Sequence, residues 1–174
     1  MDLHMHSHQL THRLPDWRAA SLAGVLAGVV FLLLDMLAMV MAGGSPWAPT
    51  HMIAAIVMGN SALGSPAMFN IGIVVVALIV HFALAIGMGL ILGLIMAPFH
   101  FDSSWGMASA VGVVFGFVIY VVNFYGMTQF FPWFAEARSW TTLIAHLVFG
   151  IVAADAYLKL ERKEPDRDMS EMAR

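Results

Sequence analysis

The chain of 174 residues contains no cysteine. Disulfides, thiolate metal sites and cysteine nucleophiles are therefore excluded, and the redox compartment cannot be read. Charge is also scarce. Asp, Glu, Lys and Arg make up 11% of the residues, against about 25% in an ordinary soluble domain. With 60% hydrophobic residues, the surface is built to face something other than water. The formal net charge of −3 does not supply the basic face that a nucleic acid partner requires. No Walker loop, dinucleotide fingerprint or zincin helix occurs. Ser45, Ser61, Ser65, Ser103 and Ser104 lie in loops without a nucleophile elbow, and few acidic groups lie near the membrane to support hydrolysis. The chain thus reads as non-enzymatic. Its first eighteen residues are polar and His-rich, without the basic start, short apolar core and cleavage site of a signal peptide.

The apolar residues fall into four long runs, at about 19–41, 71–97, 105–125 and 140–158. A bilayer core about 30 Å thick takes about 20 apolar residues in a helix, so each run is long enough to cross. Pro98 closes the second run and Pro132 breaks the chain between the third and fourth, because proline cannot continue the helical hydrogen-bond ladder. A fifth stretch, about 50–59, is apolar but too short to span. Pro49 and Thr50 open it and Gly59-Asn60 closes it, and with no basic face it reads as a short helix tucked into the bundle. The expected fold is all-α and membrane-integral. It is a four-transmembrane-helix bundle made of two related helical hairpins, with a short extra outer-face helix after the first span.

Arg13 and Arg18 precede the first span, and Lys159, Arg162, Lys163, Arg167 and Arg174 follow the last. The intervening loops contain only Arg138. By the positive-inside rule both termini are cytoplasmic. The segment 1–18 is then a His-rich cytoplasmic tail, 19–160 the membrane domain and 161–174 a charged cytoplasmic tail. Trp17, Trp47, Trp105, Trp133 and Trp140 fall at or near span ends, where interfacial aromatics belong.

Spans one and three share a pattern. Ser21, Gly24, Gly28 and Asp35 have the same spacing as Ser109, Gly112, Gly116 and Asn123. Both copies run in one direction and both are followed by Pro-Trp, so a duplication would place a pseudo-twofold axis along the membrane normal. Spans two and four instead carry four-residue stripes. One is Ala77, His81, Ala85, Gly89, Gly93 and Ala97; the other is Thr142, His146, Gly150 and Ala154. Small residues at such intervals let helix backbones approach closely, and each stripe turns its own polar residue toward protein.

The rise per residue places Asp35, His81, Asn123 and His146 in the outer half of one bundle, with His51 opening the short helix nearby. An ionisable residue in a span is a functional candidate by default. Four readings are open. Asp35 and the histidines can form a proton relay or ion path, since His titrates near neutral pH. His81 and His146, at matched depth, can be the two axial ligands of a haem b. With Asp35 they can form a metal site. Or the cluster pins the helices together by hydrogen bonds. Arg138 can pair with Glu136 or reach Asp35. Separately, His4, His6, His8 and His12 form a tract able to bind divalent metals loosely, or a solvated tail.

The later half of the chain resembles the YagU-type family of small bacterial inner-membrane proteins. The resemblance rests on the His81 helix, the Trp105–Gly112 entry to the third span, Gly126-Met127-Thr128, and the His146-Leu147-Val148 run leading to a charged tail. It implies a similar topology and a link to acid tolerance, which suits a His/Asp proton site. The composition and the cluster together point to an accessory subunit of a larger membrane complex. Its partners would be the lipid bilayer and other membrane-protein subunits or a second copy of itself. Proton or ion conduction and haem-based electron transfer are the alternatives.

Overall fold

The computed structural model describes residues 14–99 and 104–161. The His4, His6, His8 and His12 tract, the charged tail and the loop between the second and third spans lie outside them. Four helices are long and apolar enough to cross a membrane, at Trp17–Met41, Ile71–Met96, Trp105–Gln129 and Trp140–Leu160. At about 1.5 Å per residue, even the shortest, with 21 residues, matches a hydrocarbon core of about 30 Å.

The helices in chain order are α1 (Trp17–Met41), α2 (Ala48–Met58), α3 (Ile71–Met96), α4 (Trp105–Val121) and α5 (Trp140–Leu160). Each long helix begins at a polar N-cap: Asp16, Asn70, Ser104 and Ser139 accept from backbone N–H groups of the first turn. A cap of this kind is worth about 1 kcal/mol and sets where the chain enters the apolar layer. Gly59, at φ 70°, ends α2 in a conformation that costs other residues strain. Beyond α4 the helix does not stop but loosens, through a π-helical turn at Val122–Gly126 and a 3₁₀ turn at Met127–Gln129.

The packing order is α3, α1, α5, α4. α1 packs on α3 and on α5, α5 packs on α4, and α3 and α4 make no substantial contact. The stripes on α3 and α5 are buried as their spacing requires, from Ala77 to Ala97 and from Thr142 to Ala154. Both hairpins close by the same device. A Cβ added at Gly89 would lie 2.9 Å from the backbone nitrogen of Gly24, and one at Gly150 would lie 2.8 Å from that of Gly116. Gly24, Gly112 and Gly116 likewise meet the backbone of the facing helix, while Gly93 packs on Ala20 and Tyr157. The hairpins do not assemble by the axis expected from the repeat. A same-direction twofold would give α1 on α5 a counterpart in α4 on α3, and that contact is missing.

Two of the residues expected in the packing seam serve elsewhere. Ser21 bonds its own helix at the carbonyl of Trp17, 2.8 Å away. Ser109 donates to the carboxylate of Asp155 on α5, at 2.9 and 3.1 Å from its two oxygens. α1 itself is packed unevenly. Ala19, Ala20, Ala23, Gly24, Ala27 and Gly28 are buried, and no α1 residue beyond Gly28 is. Leu22, Leu26, Val29, Leu33, Leu37 and Val40 form the exposed apolar ridge on its opposite side, the lipid face. α2 is tucked against α3, with Ala54 and Ala55 beside Ile73 and Ala77. Trp133 reaches over from the Pro132–Ala137 turn to donate to the Met52 carbonyl at 3.2 Å.

Because the close approaches are backbone to backbone, adding one methyl should separate helices. Gly150→Ala is expected to destabilise the protein by about 1–3 kcal/mol in detergent unfolding. Gly106→Ala, where a Cβ meets nothing within 4 Å, is expected to have no destabilising effect.

Candidate functional site

The two mid-span histidines meet around one phenylalanine of α1. Phe31 stacks on His81 with ring centroids 5.9 Å apart and meets His146 edge-on at 4.7 Å. This follows from the stripes: the glycines at 24 and 28 bring α1 close to α3, and positions 24, 28, 31 and 35 share one face of a helix. Both imidazoles are buried, 8% and 4% exposed, so each needs hydrogen-bond partners.

Each finds them in the backbone or in an amide. The Nε2 of His81 lies 2.9 Å from the carbonyl oxygen of Gly28, so the ring donates across the α1–α3 interface. In His146, Nδ1 lies 2.8 Å from the Thr142 carbonyl one turn earlier. That contact places the proton on Nδ1 and leaves Nε2 to accept from the Asn123 side-chain amide, 3.3 Å away. The π-helical turn on which Asn123 sits turns that side chain toward α5, where a sequence reading has only spacing to go on. Tyr120 and Phe124 complete the shell about His146.

Asp35 does not join this network. It is half-buried, one turn beyond Phe31 on the same face of α1. Among the described residues none donates a hydrogen bond to it. The parallel between Asp35 and Asn123 in the repeat therefore stops at the sequence: Asn123 bonds its histidine and Asp35 does not. Arg138 does not reach Asp35 or pair with Glu136. Its Nε donates to the Phe124 carbonyl at 2.6 Å and its guanidinium lies 4.5 Å from the centre of the Tyr125 ring. It caps the loosened end of α4, whose last carbonyls would otherwise lack partners.

His51 stands apart, 2% exposed, with Nδ1 2.6 Å from the Ala62 carbonyl and Nε2 2.9 Å from that of Met68. Both partners are acceptors, so both contacts become donated hydrogen bonds together only when both nitrogens carry protons. The ring staples the connection between α2 and α3. It lines a cleft of about 370 Å³ with Ser61, Ser65 and Asn70.

These contacts bear on the cofactor readings. Axial haem ligation needs a free imidazole lone pair, normally on Nε2. His81 uses its Nε2 as a donor to Gly28, His146 turns its Nε2 to Asn123, and Phe31 packs against both rings. The residues as arranged do not fit a haem between them. Nor do Asp35, His81 and His146 form a metal site: among the described residues no three His, Asp or Glu side chains converge as metal ligands. The geometry does fit a structural role, but a modest one. A hydrogen bond between membrane helices is worth about 0.6 kcal/mol on average, so the glycine contacts dominate cohesion.

Comparison with known proteins finds no matching family model, no matching curated protein and no matching solved structure.

The His51 staple yields a local expectation. His51→Phe keeps an aromatic ring but leaves the Ala62 and Met68 carbonyls without their bonds to the side chain, at a cost of about 1–3 kcal/mol. Hydrogen exchange should quicken in residues 59–70 and stay unchanged in α1 and α5.

Proposed function

We propose that this protein is a non-enzymatic accessory subunit of a larger complex in a bacterial inner membrane, with both termini cytoplasmic. The orientation rests on the basic residues gathered before α1 and after α5, and it agrees with the YagU-type resemblance. The observation that carries the subunit reading is the uneven packing of α1. Its first half is locked between α3 and α5 by small buried residues, and its second half has no buried residue. That half nevertheless carries Asp35 on the bundle-facing side. Every other polar side chain on the bundle-facing stripes has an internal partner: His81 in Gly28, His146 in Thr142 and Asn123, Asp155 in Ser109. A helix finished on one half and uncovered on the other is what a subunit shows when its neighbour is missing.

The runner-up reading is proton conduction through Asp35, His81 and His146, favoured by the place of Asp35 next to the histidine layer. Against it stands the cytoplasmic half of the bundle. Ala20, Ala27, Leu92, Met96, Ala153 and Ala154 are completely buried there, and the polar side chains Ser109 and Asp155 in that half bond each other rather than His81.

The test is the mass of the protein gently solubilised from its native membrane. A subunit migrates with partners, far above the 19.0 kDa of one chain. A preparation that is monomeric in every mild detergent, yet moves protons in liposomes, would replace this reading with the runner-up. The same sample should be colourless, oxidised and reduced. A Soret band lost in His81→Ala would instead restore the haem reading.

A further inference from the structure

We infer that Asp35 is the receptor for a cationic side chain, Lys or Arg, presented by a transmembrane helix of a different membrane protein. This rests on the subunit reading and names the chemistry of the contact. Asp35 lies six residues beyond the middle of α1, about 9 Å from the bilayer centre, well inside a hydrocarbon half-thickness of about 15 Å. A carboxylate at that depth is costly, and such residues persist by pairing or by lining a pathway. An aspartate side chain is too short to reach the interface from there, whereas long Lys and Arg side chains can.

Among the described residues the chain supplies no such partner. Its Lys and Arg residues stand at 13, 18, 138, 159, 162, 163, 167 and 174, none of them in the interior of a span. Arg138, the one on the outer side, is committed to Phe124 and Tyr125. A second copy has the same shortage, so it brings no cation from within its spans to Asp35. A metal ion is poorly served as well. Calcium takes six to eight oxygen ligands and magnesium six, while Asp35 brings two oxygens and among the described residues belongs to no group of three His, Asp or Glu side chains. The uncovered surface is also the size of a helix. It runs along α1 beyond Phe31, from Leu32 to Met41, without one fully buried residue, while α3 and α5 are buried through their own outer halves at Ile73, Ala77, Thr142, Ala145 and His146. What is missing is a helix, and the one charge it would meet is negative.

The absence of native cysteine permits a clean test in proteoliposomes. The full chain carries a donor dye at Gly106→Cys, where an added side chain meets nothing within 4 Å. The probes are synthetic single-span Leu/Ala helices carrying an acceptor dye, one with a central Arg and one without. The Arg peptide should bind about tenfold more tightly than the plain peptide, in line with one interhelical polar contact. Asp35→Asn should bring the Arg peptide down to the plain peptide's level, and Asp35→Glu should keep the preference. Charge reversal guards against misfolding of the neutral variant: Asp35→Lys should select a peptide with a central Asp and reject the Arg peptide. Equal binding of both peptides to the wild-type chain would overturn the inference. So would Asp35-dependent transfer between donor- and acceptor-labelled copies of this chain, which would make the occupant a second copy. A native complex that survives Asp35→Asn intact would keep the subunit reading while removing this one.

Discussion

Everything in this bundle depends on backbone meeting backbone at glycine. In lipid, helices gain no hydrophobic energy by associating, because the tails are as apolar as the side chains. Close packing must supply the cohesion, and it is available only where no side chain intervenes. Gly24 and Gly89 provide it between α1 and α3, and Gly112, Gly116 and Gly150 between α4 and α5. These contacts fix the crossing of each hairpin, and so fix what else can touch. The His81 ring reaches the Gly28 carbonyl because Gly28 has no side chain in the way. Phe31, one turn further, then has room to fill the layer between the histidines.

The same contacts explain where packing ends. The small residues of α1 run from Ala19 to Gly28 and are followed by Phe31, Leu32, Leu33 and Leu34. Phe31 packs on the histidine layer, and beyond it no residue of α1 is fully buried. Asp35 falls in that stretch. Among the described residues none bonds it, and it is less covered than Gly24 and Gly28, where small residues let the neighbouring helices approach.

Most of the fold was legible in the sequence, because the bilayer leaves few choices. Apolar length set the four spans, prolines and glycines set their ends, and the four-residue stripes of α3 and α5 named their buried faces. The site was less legible. The depth of each polar residue can be counted from a span's midpoint, but its hydrogen-bond partner depends on rotation about the helix axis and on which helices are neighbours. Two features escaped for that reason. The π-helical turn that brings Asn123 to His146 leaves no clear residue signature. The bond from Ser109 to Asp155 gives a residue read as packing a polar partner on the facing helix. The repeat misled on assembly, since equivalent glycines specify how each hairpin closes and say nothing of how two hairpins meet.

The central claim is that the second half of α1 is covered by another protein in the native membrane. Cysteine accessibility tests it directly, because the chain has no cysteine of its own. Ala38→Cys lies on the bundle-facing side of that half and Met41→Cys at its exposed outer end. A membrane-permeant maleimide should label Met41→Cys equally in native membranes and in liposomes of the purified chain. Ala38→Cys should be protected in native membranes and reactive in liposomes. Equal labelling of Ala38→Cys in both settings would mean that nothing covers α1 there, and would contradict the account.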